Sequence, residues 1–165
     1  MANPATAPLN PAQVRALLLE LPAQLERMHR RFLDVVRLEL STNGIQDISP
    51  VQAMMLVNVG DAELSVRDLI ERGYYLGSNA SYNLKQLVTG GYVERQQALR
   101  DKRAARLKLT PTGFKVLRII HEVTAKYGDM KETSPHDIEA TSRTLRKLER
   151  RWGEAVRHTL DDVDL

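Results

Sequence analysis

No cysteine occurs among the 165 residues. Disulfides, cysteine-based zinc sites and thiol redox sensing are therefore excluded. No stretch approaches the roughly 18 uncharged apolar residues of a membrane-spanning helix, so no membrane partner is expected. The opening Met1-Ala2-Asn3-Pro4-Ala5 has neither a basic region nor an apolar run and does not read as a secretory signal. A cytoplasmic location is the expectation. Internal repeats and low-complexity segments are missing, and so are the patterns that carry catalysis. His121-Glu122 is followed by Ala125 where the helical zinc-protease pattern needs a second His, and Gly73 and Gly77 lack the Lys of a phosphate-binding loop. With no nucleophile–base pair and four scattered His, the chain is expected to be neither an enzyme nor a holder of any metal or cofactor. Asn79-Ala80-Ser81 fits the glycosylation acceptor pattern, which is without consequence in a cytoplasmic chain.

What is present suits a folded domain. Hydrophobic residues make up 42% and charged residues 27%, too apolar for a disordered chain and long enough for a useful core. The net charge of +3 is unevenly spread. Tyr74 to Lys115 holds eight basic residues (Lys85, Arg95, Arg100, Lys102, Arg103, Arg106, Lys108, Lys115) against Glu94 and Asp101. That segment carries +6, which leaves −3 for the remainder. Such a basic middle is the footprint of a polyanion-binding surface; the plainer reading is a solvated charged face.

The local signals are mostly helical. Residues 1–9 are Ala/Pro/Asn/Thr-rich and read as a disordered tail. Asn10-Pro11 with Gln13 opens a helix. Its apolar residues Leu18, Leu21, Leu25, Met28, Phe32 and Val35 follow heptad-like spacing. Pro22 is expected to kink or restart it, and the turn cluster Ser41-Thr42-Asn43-Gly44 to end it. Ser49-Pro50-Val51-Gln52 is a capping box for a helix that stops near Gly60, and Ser65-Val66-Arg67-Asp68 caps another that halts at Gly73. The next helix spans about 78–89, with Ala80, Leu84, Leu87 and Val88 on one apolar stripe. Tyr92–Gln97 and the alternating Arg106-Leu107-Lys108-Leu109-Thr110 read as the strands of a hairpin with a charged tip. Pro111-Thr112-Gly113 starts a helix to Tyr127, and a last one runs from Ser134-Pro135 to about Thr159, with Ile138, Leu145, Leu148, Trp152 and Val156 as its stripe.

Capped helices followed by a basic hairpin describe a winged helix-turn-helix. A helix fits the major groove of B-DNA, and small or amide side chains near its start can reach base edges. Ser78, Asn79, Ser81, Tyr82, Asn83 and Lys85 are the candidates, Asn for adenine and the others more often for phosphates. No acid lies between Asn79 and Thr89. The alternative is an ordinary amphipathic surface helix. At the tip, Arg100, Lys102 and Arg103 can track phosphates or enter the minor groove, with Asp101 pairing to Arg103 and holding the loop's shape. The alternative there is a solvated loop with an exposed ion pair.

Asp101-Lys102-Arg103-Ala104-Ala105-Arg106-Leu107-Lys108-Leu109-Thr110-Pro111-Thr112-Gly113 resembles the wing signature D-x-R-x-x-x-L-x-L-T-x-x-G of the MarR (multiple antibiotic resistance regulator) family of bacterial transcription factors. Leu87-Val88-Thr89-Gly90-Gly91-Tyr92-Val93-Glu94-Arg95 resembles the same family's junction between recognition helix and wing. The likeness in helix order covers about residues 11–160. It implies a homodimer on a pseudo-palindromic double-stranded DNA operator, with recognition helices in successive major grooves and wings at the flanking minor grooves. By match to the motif, Arg103 is the minor-groove arginine and Asp101 its partner. The loop Arg72-Gly73-Tyr74-Tyr75-Leu76-Gly77, aromatic and Gly-rich, departs from the family pattern, as do Pro22 and the long last helix.

The expected fold is therefore mainly α with a small β-hairpin: a winged helix-turn-helix flanked by long N- and C-terminal dimerisation helices. The organisation is a tail at 1–9, an N-terminal dimerisation helix and linker at 10–47, the DNA-binding region at 48–112, C-terminal dimerisation helices at 113–160 and an acidic tail at 161–165. The resemblance allows a small aromatic or anionic effector, but no spacing singles out His29, Arg30, Tyr75, His121 or Tyr127 as its site. The competing function is a winged-helix protein-interaction adaptor without specific DNA binding, against which the basic tip and acid-free helix argue.

Overall fold

The computed structural model describes residues 9–73, 75, 77–97, 105–128 and 133–163, with 97 and 157–163 described by backbone alone. The chain divides into two compact units, Met1–Thr124 and Ala125–Leu165.

The first unit begins with α1 (Pro11–Thr42), followed by α2 (Pro50–Val59), β1 (Leu64–Ser65), α3 (Val66–Gly73), α4 (Gly77–Thr89), β2 (Val93–Gln97) and β3 (Ala105–Leu109). It includes most of α5 (Pro111–Tyr127). Side-chain caps set the starts. The Asn10 side chain accepts from Gln13 N and the Gln13 side chain from Asn10 N, both at 2.9 Å; Ser49 and Gln52 repeat the arrangement before α2. Ser65 and Asp68 do the same for α3, the hydroxyl accepting from Asp68 N and the carboxylate from Ser65 N. The bond from Ser65 N, and then the Ser65 side chain, hold the Asp68 carboxyl below the usual range.

Two expectations need correction. α1 runs through Pro22 without a restart and on to Thr42, two residues into the turn cluster expected to end it. Its end comes where Asn43 N donates back to Glu39 and Leu40 carbonyls. The hairpin is also not alone. Leu64–Ser65 pairs antiparallel with β3 (Leu64 with Leu107, Ser65 with Arg106), so the sheet has three strands in the order β1-β3-β2. A two-residue strand is too short to carry an alternating pattern.

The core of this unit lies between the sheet and the helices. α2 contributes Ala53, Met55, Leu56 and Val59, α3 Leu69, α4 Ala80, Leu84 and Leu87, the sheet Leu64, Val93, Leu107 and Leu109, and α5 Val116, Leu117 and Ile120. α1 adds the buried Val36 and Leu40 from its C-terminal turns, with Phe32 partly buried against the core. Earlier in α1 Leu21 and Leu25 are half-buried, while Leu18 and Met28 are 47% and 60% exposed.

The second unit is built on α6 (Pro135–Val163). Ser134 caps it, its hydroxyl accepting from Asp137 N at 3.1 Å and donating to the Asp137 carboxylate at 2.7 Å. The helix continues past the expected end at Thr159. Leu145 and Leu148 of its stripe are half-buried, while Ile138, Trp152 and Val156 are exposed.

Candidate nucleic-acid interface

α4 has two faces fixed by its sequence. Ala80, Leu84 and Leu87 recur at helical spacing and are buried, each leucine contributing about 1.5–3 kcal/mol to holding the helix on the core. On the opposite arc Ser78, Asn79, Ser81, Tyr82, Lys85 and Gln86 are exposed, Tyr82 to 65%. That arc contains no carboxylate. Asn83 departs from the expectation. It is half-buried beside the apolar stripe, and its Nδ2 donates to the Asn79 carbonyl at 3.0 Å. An amide engaged with its own helix is a poor reader of bases. Gln86, an exposed amide on the outward arc, was not among the expected contacts, though its position is readable from the 3.6-residue period.

β3 alternates as its sequence implies, with Leu107 and Leu109 buried and Arg106 and Lys108 exposed. Pairing register then decides where the β2 side chains stand. Glu94 lies opposite Lys108 and Gln96 opposite Arg106, whereas Arg95 lies opposite Leu107. Directly paired residues share a face, so Arg95 is on the side of the sheet that faces the helices. There it lines a cleft of about 330 Å³ together with Val66, Ser81, Leu84, Lys85, Val88 and Thr89. One cation from α4, one from β2 and the Ser81 hydroxyl thus meet in one concavity, a chemistry suited to a phosphate. Arg95 was counted in the basic segment but not expected as a site residue; only the strand register singles it out.

Arg100, Asp101, Lys102 and Arg103, the expected wing-tip residues, lie outside the described residues. The strands that lead to them are anchored at their base. The Tyr92 ring is buried, and its hydroxyl donates to the Asp47 carboxylate at 2.6 Å. Burial, then the bond to and charge of Asp47, push this phenol up to about 12. Thr110 N donates to the Tyr92 carbonyl at 3.1 Å, and its hydroxyl donates to the Gly91 carbonyl at 2.6 Å while accepting from Gly113 N. At Gly113 a Cβ would lie 2.2 Å from the Tyr92 carbonyl oxygen, so no larger residue fits. The Thr and Gly that close the wing signature therefore join the sheet to the start of α5.

Comparison with known proteins agrees with this geometry. The model of the MarR family matches residues 46–104. The exopolysaccharide II synthesis transcriptional activator ExpG of Rhizobium meliloti (strain 1021) is 42% identical over 142 residues, spanning 84% of this chain and 73% of the relative. Among solved structures, the transcriptional regulator BldR from Sulfolobus solfataricus superposes with a TM-score of 0.69 at 19% identity, covering 87% of this chain and 99% of that one. A mutant MarR from E. coli complexed with operator DNA gives 0.64 at 20% identity, covering 79% and 94% respectively.

Proposed function

From the premise that the chain belongs to the MarR family of transcriptional regulators, which are not enzymes, we propose that it acts in the cytoplasm as a homodimer on a pseudo-palindromic DNA operator. α4 enters the major groove. Ser78 and Asn79 at its start, with Tyr82 beyond them, reach the bases or the adjoining backbone, while Ser81, Lys85 and Arg95 take a phosphate. Arg100, Lys102 and Arg103 contact the duplex at the flanking minor groove, with Asp101 supporting Arg103. The observation that carries this reading is the acid-free exposed arc of α4, bordered by the cleft that Lys85 and Arg95 share. A carboxylate there would repel the phosphate backbone; cations release its counterions.

The exposed stripes of α1 and α6 are the surfaces a second copy would cover. A small anionic or aromatic effector fits the open cleft of about 480 Å³ where α1 meets α2, with Arg37 as its cation and Leu40 and Ile45 on its apolar wall. By likeness to the exopolysaccharide activator, the transcriptional output is activation, which a reporter placed behind the recovered site would read.

The test is selection of duplexes from a random-sequence pool, followed by affinity measurement across salt concentrations. A two-fold-related consensus and a log–log slope of several units are expected. Binding that ignores sequence, or that does not respond to salt, overturns the reading.

A further inference from the structure

Tyr75 lies in the short connection between α3 and α4, and its side chain turns back onto α2. Asn58 Nδ2 donates to the Tyr75 hydroxyl at 2.7 Å, and Tyr75 N donates to the Ile70 carbonyl at 3.2 Å. The ring is half-buried and packs on the core. It also fills the space above Gly73, where a Cβ would stand 2.0 Å from the nearest ring carbon. The ring therefore demands glycine at 73, and α2, capped and buried along one face, gives Asn58 a fixed base. Gly77, where α4 begins, follows Tyr75 by two residues, and Ser78 and Asn79 are in the first turn.

We propose that Tyr75 is a positioning residue for sequence reading: held between Gly73 and Asn58, it sets where the first turn of α4 stands against the bases. The role rests on the DNA-binding function proposed above. Base-edge hydrogen bonds need placement to about half an ångström, whereas a long lysine side chain follows a phosphate through small shifts. Loosening the clasp therefore lowers discrimination between sequences and leaves general affinity for duplex DNA in place. The aromatic, Gly-rich loop that departs from the family pattern has here a concrete use.

The experiment uses the full chain, a duplex selected by the wild type from a random pool, and an unselected duplex of equal length. Tyr75→Phe keeps the ring and removes the hydroxyl. It is expected to lower the ratio of the two affinities by roughly three- to tenfold, the worth of one hydrogen bond, with the unselected duplex bound as before and with an unchanged salt slope. Asn58→Ala is expected to lower the ratio similarly, and the double variant no further. Gly73→Ala, which expels the ring, is expected to lower it in the wild type and to add nothing in a Tyr75→Ala background. A wild-type ratio in Tyr75→Phe, an equal loss on both duplexes, or a further loss from Gly73→Ala without the ring overturns the clasp while leaving DNA recognition intact. A wild type that prefers no duplex overturns both.

Discussion

Tyr92 places its ring in the core and its hydroxyl against Asp47, joining the root of β2 to the segment between α1 and α2. Removing the hydroxyl takes this bond from a carboxylate that is open to water. Tyr92→Phe is expected to lower stability by about 0.5–1.5 kcal/mol, the net worth of one hydrogen bond, measured by urea unfolding at neutral pH. The same bond predicts an alkaline signature. The folded phenol titrates at about 12 against an ordinary 10.0, so the folded state favours the neutral form. Its contribution is complete below about pH 10 and is lost as pH rises through about 12. The difference between wild type and Tyr92→Phe is thus expected to shrink over that window; a constant difference would mean that the phenol titrates alike in both states. At Gly113 the neighbour is a backbone carbonyl that cannot swing aside. Gly113→Ala is expected to cost about 1–3 kcal/mol by overpacking, read from the same unfolding curves.

Elements were legible where a local rule suffices. Asn10, Ser49 and Ser65, each with a polar partner three residues on, mark the starts of α1, α2 and α3, and all three side chains close on the backbone as expected. The apolar stripe of α4 and the alternation of β3 follow from their periods alone. What the sequence hid depends on pairing between distant segments. β1 exists because Leu64 finds Leu107, and Arg95 joins Lys85 because the register puts it opposite Leu107 rather than Lys108. Asn83 looked like a base reader by residue type, but its amide returns to its own helix. Pro22 does not restart α1, since loss of one backbone hydrogen bond in a helix of 32 residues leaves the flanking turns bonded. The cap of α3 gives this scale its prediction. Ser65→Ala is expected to destabilise by about 0.5–2 kcal/mol. The Ser65 backbone N–H, and then its side chain, hold the Asp68 carboxyl below its ordinary 3.8, so only the side chain's share of that effect is lost in the variant. That share is present above the ordinary value and fades as pH falls through the lower, folded one, while the bond from Asp68 N to the hydroxyl does not titrate. Acid titration of the wild type and the variant by circular dichroism is expected to show a difference that narrows at low pH without closing.

At the scale of the whole molecule, the exposed apolar stripes lie outside the candidate nucleic-acid interface. Tyr74–Lys115 carries a net +6 while the remainder sums to −3, and Leu18 and Met28 on α1 and Ile138, Trp152 and Val156 on α6 stand exposed. The N-terminal turns of α1 add nothing buried to the core, and an amphipathic helix in water needs a partner for its apolar face. In the dimer proposed above, a second copy would satisfy that need and double the DNA-contacting surface. Once one α4 was seated, the other would bind at high effective concentration, a gain of about a hundredfold or more over a single half-site. The two effects are therefore linked, and one variant tests both. Leu18→Glu with Met28→Glu puts like charges on the α1 stripe without touching a buried side chain. Light scattering is expected to give twice the chain mass for the wild type and the single-chain mass for the variant, with at least about a hundredfold weaker binding to a two-fold-symmetric duplex. Affinity for a half-site duplex is expected to stay within a few-fold, since the α4 surface is unaltered. A wild type that is already single in solution, or a variant that stays paired, would mean that the α1 stripe does not build the dimer.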